Sequence, residues 1–111
     1  MLYNVFVYGS LRDADTLYRL LRRNPPTRPA RVNDYRKFVD DASGYPMAIH
    51  EKGSFVDGTL LTGIGNRDLS ALDNYEGTHK GLYKRITVQV LPAGSKTPVE
   101  AQMYVKGAGE L

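Results

Sequence analysis

The stretch VFVYGSLR, residues 5–12, constrains the architecture of this chain more than any other. Val5, Phe6, Val7 and Tyr8 are β-branched and aromatic types that suit a pleated, partly buried surface. With Leu2 they define a first strand over residues 2–8. That strand stops on Gly9-Ser10 and enters a polar, helix-permitting stretch instead of a hairpin turn. Such a junction leaves successive backbone N–H groups that neither element uses, an arrangement suited to an anion or a polarised carbonyl oxygen. On this stretch alone a plain tight turn is the better account of Gly9 and Ser10. The stretch carries neither the glycine-lysine pattern of a phosphate-binding loop nor the spaced glycines of a dinucleotide fold.

Downstream, two helical patterns interrupt a series of strand patterns. In DADTLYRLLRR, residues 13–23, Leu17, Leu20 and Leu21 share a face, with acidic residues leading and arginines trailing, the order that suits a helix dipole. Asn24-Pro25-Pro26 ends that helix, because the residue before a proline is pushed out of the α region. ARVNDYRKFV (30–39) alternates as a strand, DDASGYP (40–46) is turn chemistry, and Met47-Ala48-Ile49 is a short extended piece. SFVDGTLL (54–61) is a further strand, and Gly58 inside it marks a bulge or a close backbone approach. NRDLSALDNYEG (66–77) reads as a compact helix with Asn66 as N-cap, Leu69 and Leu72 on one face, and Gly77 at a left-handed C-terminal position. YKRITVQVL places Ile86, Val88 and Val90 on one face, VEAQMYV does the same for Val99, Ala101, Met103 and Val105, and the Pro92–Pro98 link suggests an antiparallel hairpin. Strands outnumber helices, so the class is α+β with a curved or barrel-like sheet.

Composition narrows the function classes. A chain of 111 residues, 41% apolar and 24% charged, is expected to be one globular domain over residues 1–111. No window approaches the ~18 apolar residues of a membrane span, and the start lacks the features of a signal peptide. The expectation is therefore a cytoplasmic protein without membrane partners. The absence of cysteine excludes disulfides, thiol nucleophiles and thiolate metal sites, and two histidines, His50 and His79, are too few for the usual three-ligand zinc site. The net charge of +3 comes mostly from the segment Arg19–Lys37, with Arg22, Arg23, Arg28, Arg31 and Arg36. Without a nucleic-acid motif this segment reads as a solvated surface.

Glu76 stands out at the end of the second helix, where a carboxylate is electrostatically disfavoured. Partial burial there would raise its proton affinity further, toward the range of a useful general base. The combination VYGSL, VDGTL, LDNYEG, YKRITVQV and a last strand with MYV, running from Tyr3 to Val105, resembles the gamma-glutamylcyclotransferase-like family, including its gamma-glutamylamine cyclotransferase branch and avirulence-induced-gene-like proteins. The resemblance implies a mixed, mostly antiparallel β-barrel with short helices. It also implies a substrate loop at Tyr8, Gly9, Ser10 and Leu11, a catalytic Glu76, a pocket residue at Tyr83 and a structural Arg85. The implied reaction turns a gamma-glutamyl amide into 5-oxoproline and a free amine, with no cofactor and no metal. The substrate's own α-amino group is the nucleophile, so the protein must hold the reactive conformer and move protons.

Other readings compete with this one. Ser10 as an acyl-enzyme nucleophile lacks both the G-x-S-x-G context and a histidine placed to activate it. A small basic barrel that binds nucleic acid would use the eight tyrosines for stacking and the basic half for phosphates. A family member that binds ligand without turnover keeps the fold and loses the activity. His79 reads as a surface loop residue, and His50 receives no role. The chain ends at Leu111, before any long C-terminal segment of the kind that closes the pocket in larger relatives. A shallow, uncovered pocket of that kind would suit a gamma-glutamyl group on a bulky amine.

Overall fold

The computed structural model describes residues 1–107, so the last residues, to Leu111, lie outside the described part. Five strands close a barrel: β1 (Tyr3–Val7), β2 (Thr27–Val39), β3 (Pro46–Ile64), β4 (Tyr83–Pro92) and β5 (Val99–Lys106), in the spatial order β1-β3-β2-β4-β5. Neighbours are antiparallel except β1 and β5, which run parallel with Val5 opposite Gln102 and Phe6 opposite Met103. Two helices, α1 (Ala14–Leu21) and α2 (Asn66–Glu76), pack on the barrel. The class is thus α+β with a mixed, mostly antiparallel barrel. Among the described residues no helix is long and apolar enough to cross a membrane.

The period of two along each strand sorts side chains into two clusters. Phe6, Tyr8, Val32, Val56, Leu60, Val88, Val90, Met103 and Val105 pack together in one, the barrel interior. Val5, Val7, Leu61, Ile64 and Tyr104 fall in the other, against Leu17 and Leu21 of α1 and Leu69 and Leu72 of α2. Gly58 makes the interior packing possible. A Cβ there would lie 2.4 Å from the Val7 carbonyl oxygen and 2.8 Å from Phe6 Cζ, so the Phe6 ring occupies the space a side chain would need.

Three local features differ from the sequence expectation, each for a physical reason. The pieces 47–49 and 54–61 belong to one strand of 19 residues. Its pairing with β2 shifts between Asn33 and Tyr35, where Glu51–Ser54 stand opposite the single residue Asp34. Asp34 and Gly53 both have positive φ, and Asp34 Oδ1 accepts the Gly53 N–H at 3.0 Å. The irregularity breaks the alternation that would have revealed one strand, and it bends the sheet so that Met47 and Ala48 are fully buried. α1 ends before the prolines, at Arg22 in the left-handed conformation (φ 61). At its start Asp13 Oδ2 accepts the Thr16 N–H at 2.9 Å, an ordinary side-chain cap. α2 is capped by Gly65, not Asn66, and Asp68 Oδ2 reaches back to the Gly65 N–H at 3.2 Å. Its far end is terminated by Gly77 in the left-handed conformation (φ 68).

Candidate active site

The strand-to-helix junction forms as a strand, a two-residue break and a short 3₁₀ turn at Ser10–Arg12. The N–H groups of Arg12 and Asp13 are taken up by the carbonyls of Gly9 and Ser10, both at 3.0 Å. The Lys37 ammonium donates to the Tyr8 carbonyl at 3.0 Å, which anchors the start of the loop to β2. A Cβ on Gly9 would come within 3.0 Å of Pro46 Cγ, so the loop backbone lies close against the end of the β2–β3 connection.

Tyr8, Gly9, Ser10, Leu11, Glu76 and Tyr83 all line one cavity of 210 Å³. Their convergence follows from topology. Tyr8 follows β1, Tyr83 opens β4, and Glu76 ends α2 immediately before the Gly77 turn. The lining also contains Tyr45, Pro46, Tyr75, Leu82 and Tyr104, which the sequence did not single out. Tyr75 and Tyr45 are exposed and flank the opening, and the Tyr75 phenol is 2.8 Å from Ser10 Oγ, linking the loop to α2. Tyr104 could have been found: it occupies the strand face otherwise held by Glu100 and Gln102, where an aromatic implies a covering element. Tyr45 lies in turn chemistry and carries no such signal.

Burial pushes the Glu76 carboxyl up to about 7, because removing a carboxylate from water penalises its charged form. No cation among the described residues counters that effect. The phenols around it are held neutral. Burial raises Tyr8, Tyr83 and Tyr104 well above their ordinary value, and the nearby negative charge of Glu76 adds to the effect in each. Tyr8 donates its proton to the Tyr104 carbonyl at 2.5 Å, and Tyr83 donates to the Pro46 carbonyl at 2.6 Å. Tyr104 in turn donates to Asp73 Oδ1 at 2.6 Å. Arg85 grips the same carboxylate through Nε and Nη2 at 2.9 and 3.4 Å, and its Nη1 donates to Gln102 at 2.6 Å. Arg85 therefore lies outside the cavity and ties α2 to β5.

His79 is exposed and does not line the cavity. His50 is also exposed and packs edge-on against Tyr35, with ring centroids 5.4 Å apart. Much of the basic segment is engaged within the protein. Arg23 pairs with Asp68, Arg31 with Asp57, and Arg36 with Glu51, while Arg28 donates to the Ala93 carbonyl.

Comparison with known proteins adds an independent observation. Residues 5–110 match the family model described as gamma-glutamyl cyclotransferase, AIG2-like. A Methanocaldococcus jannaschii protein named gamma-glutamylcyclotransferase and putative RNase is 36% identical over 97 residues, covering 87% of this chain and 44% of that protein. AIG2-like protein D of Arabidopsis thaliana is 39% identical over 105 residues, 94% of this chain and 67% of the relative. The chain thus spans between 44% and 67% of the length of these two relatives. A solution structure of an Arabidopsis thaliana protein superposes with a TM-score of 0.84 at 30% identity, over 95% of this chain and 68% of that one. A solved structure named gamma-glutamyl cyclotransferase gives a TM-score of 0.77 at 22% identity, over 96% of this chain and 67% of that one, a likeness of fold. By the extent of the family match and the identity to these relatives, the chain belongs to the gamma-glutamyl cyclotransferase, AIG2-like family.

Proposed function

We propose that this chain cyclises a gamma-glutamyl amide or amine conjugate to 5-oxoproline and releases the free amine, with Glu76 as general acid and base and the Tyr8–Leu11 loop holding the substrate. The observation that carries this reading is the position of Glu76, a carboxyl with a pKa of about 7 lining the same small cavity as the loop. A base poised near the working pH is the most effective kind, typically contributing about 10²–10⁴-fold.

The reaction asks little else of the protein. Glu76 takes a proton from the α-ammonium, and the freed nitrogen attacks the γ-carbonyl carbon of the same molecule. A ring C–N bond forms, the tetrahedral oxyanion collapses, and the original amide C–N bond breaks. Glu76 then returns the proton to the departing amine, and the surplus proton of the ring nitrogen passes by way of Glu76 to the same amine, which leaves as an ammonium. Because nucleophile and electrophile share one chain, effective molarities of about 10⁵–10⁸ M are within reach when the conformer is held. The amides of Gly9, Ser10 and Leu11 offer donors to the anionic parts of the substrate, its oxyanion or α-carboxylate. One lost oxyanion donor typically costs about 3–4 kcal/mol.

Nucleic acid stays outside this reading, although one relative's name includes a putative RNase. The arginines paired with Asp68, Asp57 and Glu51 have less charge to offer a phosphate backbone. A panel of gamma-glutamyl amino acids, gamma-glutamyl amines and glutathione, assayed for 5-oxoproline, tests the proposal. At least one amide is expected to turn over, and Glu76→Gln is expected to lose most of the rate while folding normally. Parental turnover by the variant would overturn the role of Glu76. Oligonucleotide binding that weakens steeply with salt, without turnover of any gamma-glutamyl compound, would favour the other reading.

A further inference from the structure

We propose that the seam between β2 and β4 binds an extended acidic peptide as an added strand. The groove along this seam is separate from the cavity of Glu76, and no residue lines both.

The barrel is closed least firmly here. β2 and β4 pair only through Ala30 opposite Pro92 and Arg31 opposite Leu91. Beyond that point the strands part, β2 keeping β3 as its partner up to Val39 and β4 keeping β5 from Val90 back to Tyr83. The register shows which backbone groups are left over. The Ala93 N–H donates to the Pro29 carbonyl at 2.9 Å, so alternate residues counted back from it, Leu91, Gln89, Thr87 and Arg85, turn their N–H and C=O toward the β2 side. Leu91 meets Arg31, but Thr87 and Arg85 have no strand opposite them on that side among the described residues. On β2 the irregularity at Asp34 bends the strand at the place where the pairing stops. A row of unpaired donors and acceptors on a strand edge is a template for one more strand.

The surface around that edge selects the occupant. A groove of 470 Å³ follows the opening, between Asn33 and Tyr35 on β2, Thr87 and Gln89 on β4, and Lys96 in the β4–β5 link. Its floor is apolar: Val88 is buried, and Tyr35 and Ile86 pack half-buried on the barrel interior. Every second side chain of an added strand would rest there. Its rim is cationic. Lys96, and Lys84 on the same face of β4 as Ile86 and Val88, have no ion-pair partner among the described residues. Arg31 is matched by Asp57, and Asp34, the one carboxylate in the lining, accepts the Gly53 N–H. Glu100 of β5, opposite Gln89, belongs to the outer face. The unmatched charge along the groove is therefore positive. A strand with carboxylates near its ends and apolar residues at alternate positions between them complements both rim and floor. A second copy of this chain would bring its own lysines to the seam, and like charges side by side on paired strands repel. Nucleic acid would answer the lysines and leave the amides of the edge without their partners.

The probe is acetyl-Glu-Thr-Val-Thr-Val-Thr-Glu-amide, whose pattern reads the same in both directions and so suits parallel or antiparallel addition. Titrated into the isotope-labelled whole chain, it is expected to shift the amide NMR signals of Arg85, Thr87 and Gln89 and to slow their hydrogen exchange. The same peptide with lysine in place of glutamate should bind roughly tenfold more weakly, a difference that shrinks as salt is added. Methylating the backbone nitrogens of the valines, or those of the threonines, removes the donors along one edge of the peptide. One of these two peptides should bind about tenfold more weakly than the parent. Lys84→Glu combined with Lys96→Glu should invert the preference between the acidic and basic peptides. Thr87→Pro removes a donor from an edge where proline is tolerated and should abolish the shifts. If that variant does not fold, the charge reversal decides alone. Absence of binding, equal affinity for the two peptides, indifference to both methylations, or shifts confined to the Gly9–Leu11 loop would overturn the proposal. So would dimerisation through the same amides, which assigns the seam to a second copy, or tighter binding of oligouridylate to them, which assigns it to nucleic acid.

Discussion

Tyr104 and Asp73 are joined by a 2.6 Å hydrogen bond that ties the last strand of the barrel to the helix carrying Glu76, one turn before the helix ends. The same Tyr104 accepts the Tyr8 phenol proton on its backbone carbonyl. One residue thus touches both sides of the cavity, the loop side through Tyr8 and the helix side through Asp73. Its side chain is 1% exposed, so water cannot substitute for either contact.

Tyr104→Phe is predicted to lower kcat roughly tenfold while KM changes less than about twofold. The ring stays and the backbone carbonyl still anchors Tyr8, but the register of Glu76 against the loop loosens, and small misplacements of a reacting group are costly. Loss of the buried hydrogen bond should also reduce stability by about 1–2 kcal/mol. Steady-state kinetics together with urea unfolding separate the two effects. A large rise in KM with kcat unchanged would show that Tyr104 acts through substrate binding instead.

Glu76 makes activity and stability run in opposite directions with pH. In the proposed reaction the ionised form is the base, so the acid limb of kcat/KM is predicted to rise about tenfold per pH unit and level off near pH 7. For stability the sign reverses. The folded carboxyl keeps its proton up to about 7, while the unfolded one loses it near the ordinary 4.5. Between these values the folded state binds more protons, so this group's contribution falls as pH rises through that window. Glu76→Gln is therefore predicted to stabilise the protein at pH 8 by an amount of order 1–3 kcal/mol and to do little at pH 4. Unfolding curves for both proteins at the two pH values decide the matter.

Gly58→Ala is predicted to destabilise by about 2–4 kcal/mol, because the added methyl would collide with the Val7 carbonyl and the Phe6 ring inside a closed barrel. Relief is limited on one side, since the carbonyl belongs to a strand paired on both edges. A second substitution, Phe6→Leu, should recover part of that loss by vacating the ring's space. If Gly58→Ala unfolds like the parent, the barrel interior is looser than its packing implies.

Gly77→Ala is predicted to cost about 1 kcal/mol of stability and a larger share of activity. A residue with a side chain is strained at a φ of 68°, while the new Cβ would only touch Leu82, at 3.4 Å. Glu76 is the preceding residue, so strain released by unwinding the helix end would move the carboxyl. Thermal melts and kcat on the same preparation measure the two quantities side by side.

How much of this was legible beforehand depends on what each residue's neighbours are. The barrel strands over β4 and β5 were readable because Ile86, Val88, Val90 and Met103 obey a period of two against a single apolar interior. β3 was not readable as one strand, because Glu51–Ser54 opposite Asp34 break that period where the sheet bends. The Gly9-Ser10 junction and Glu76 stood out as residue types placed against local expectation, a strand ending without a hairpin and a carboxylate at a helix C-terminus. The cap at Gly65 did not, because a backbone position satisfied by Asp68 leaves no side-chain signature of its own. Tyr45 and Tyr75 reach the cavity only through tertiary folding, Tyr45 from the β2–β3 connection with nothing in its own sequence neighbourhood to mark it, and Tyr75 through its contact with Ser10, 65 residues away along the chain.

The parallel seam between β1 and β5 has a consequence for biosynthesis. Val5 and Phe6 find their partners Gln102 and Met103 only after nearly the whole chain has emerged from the ribosome. Until then the first strand waits with one unsatisfied edge, a state that nascent-chain chaperones are suited to shield. Translation arrested before residue 99 would yield a product with the Tyr8–Leu11 loop, Glu76 and Tyr83 but without Tyr104, the residue that joins the two sides of the cavity.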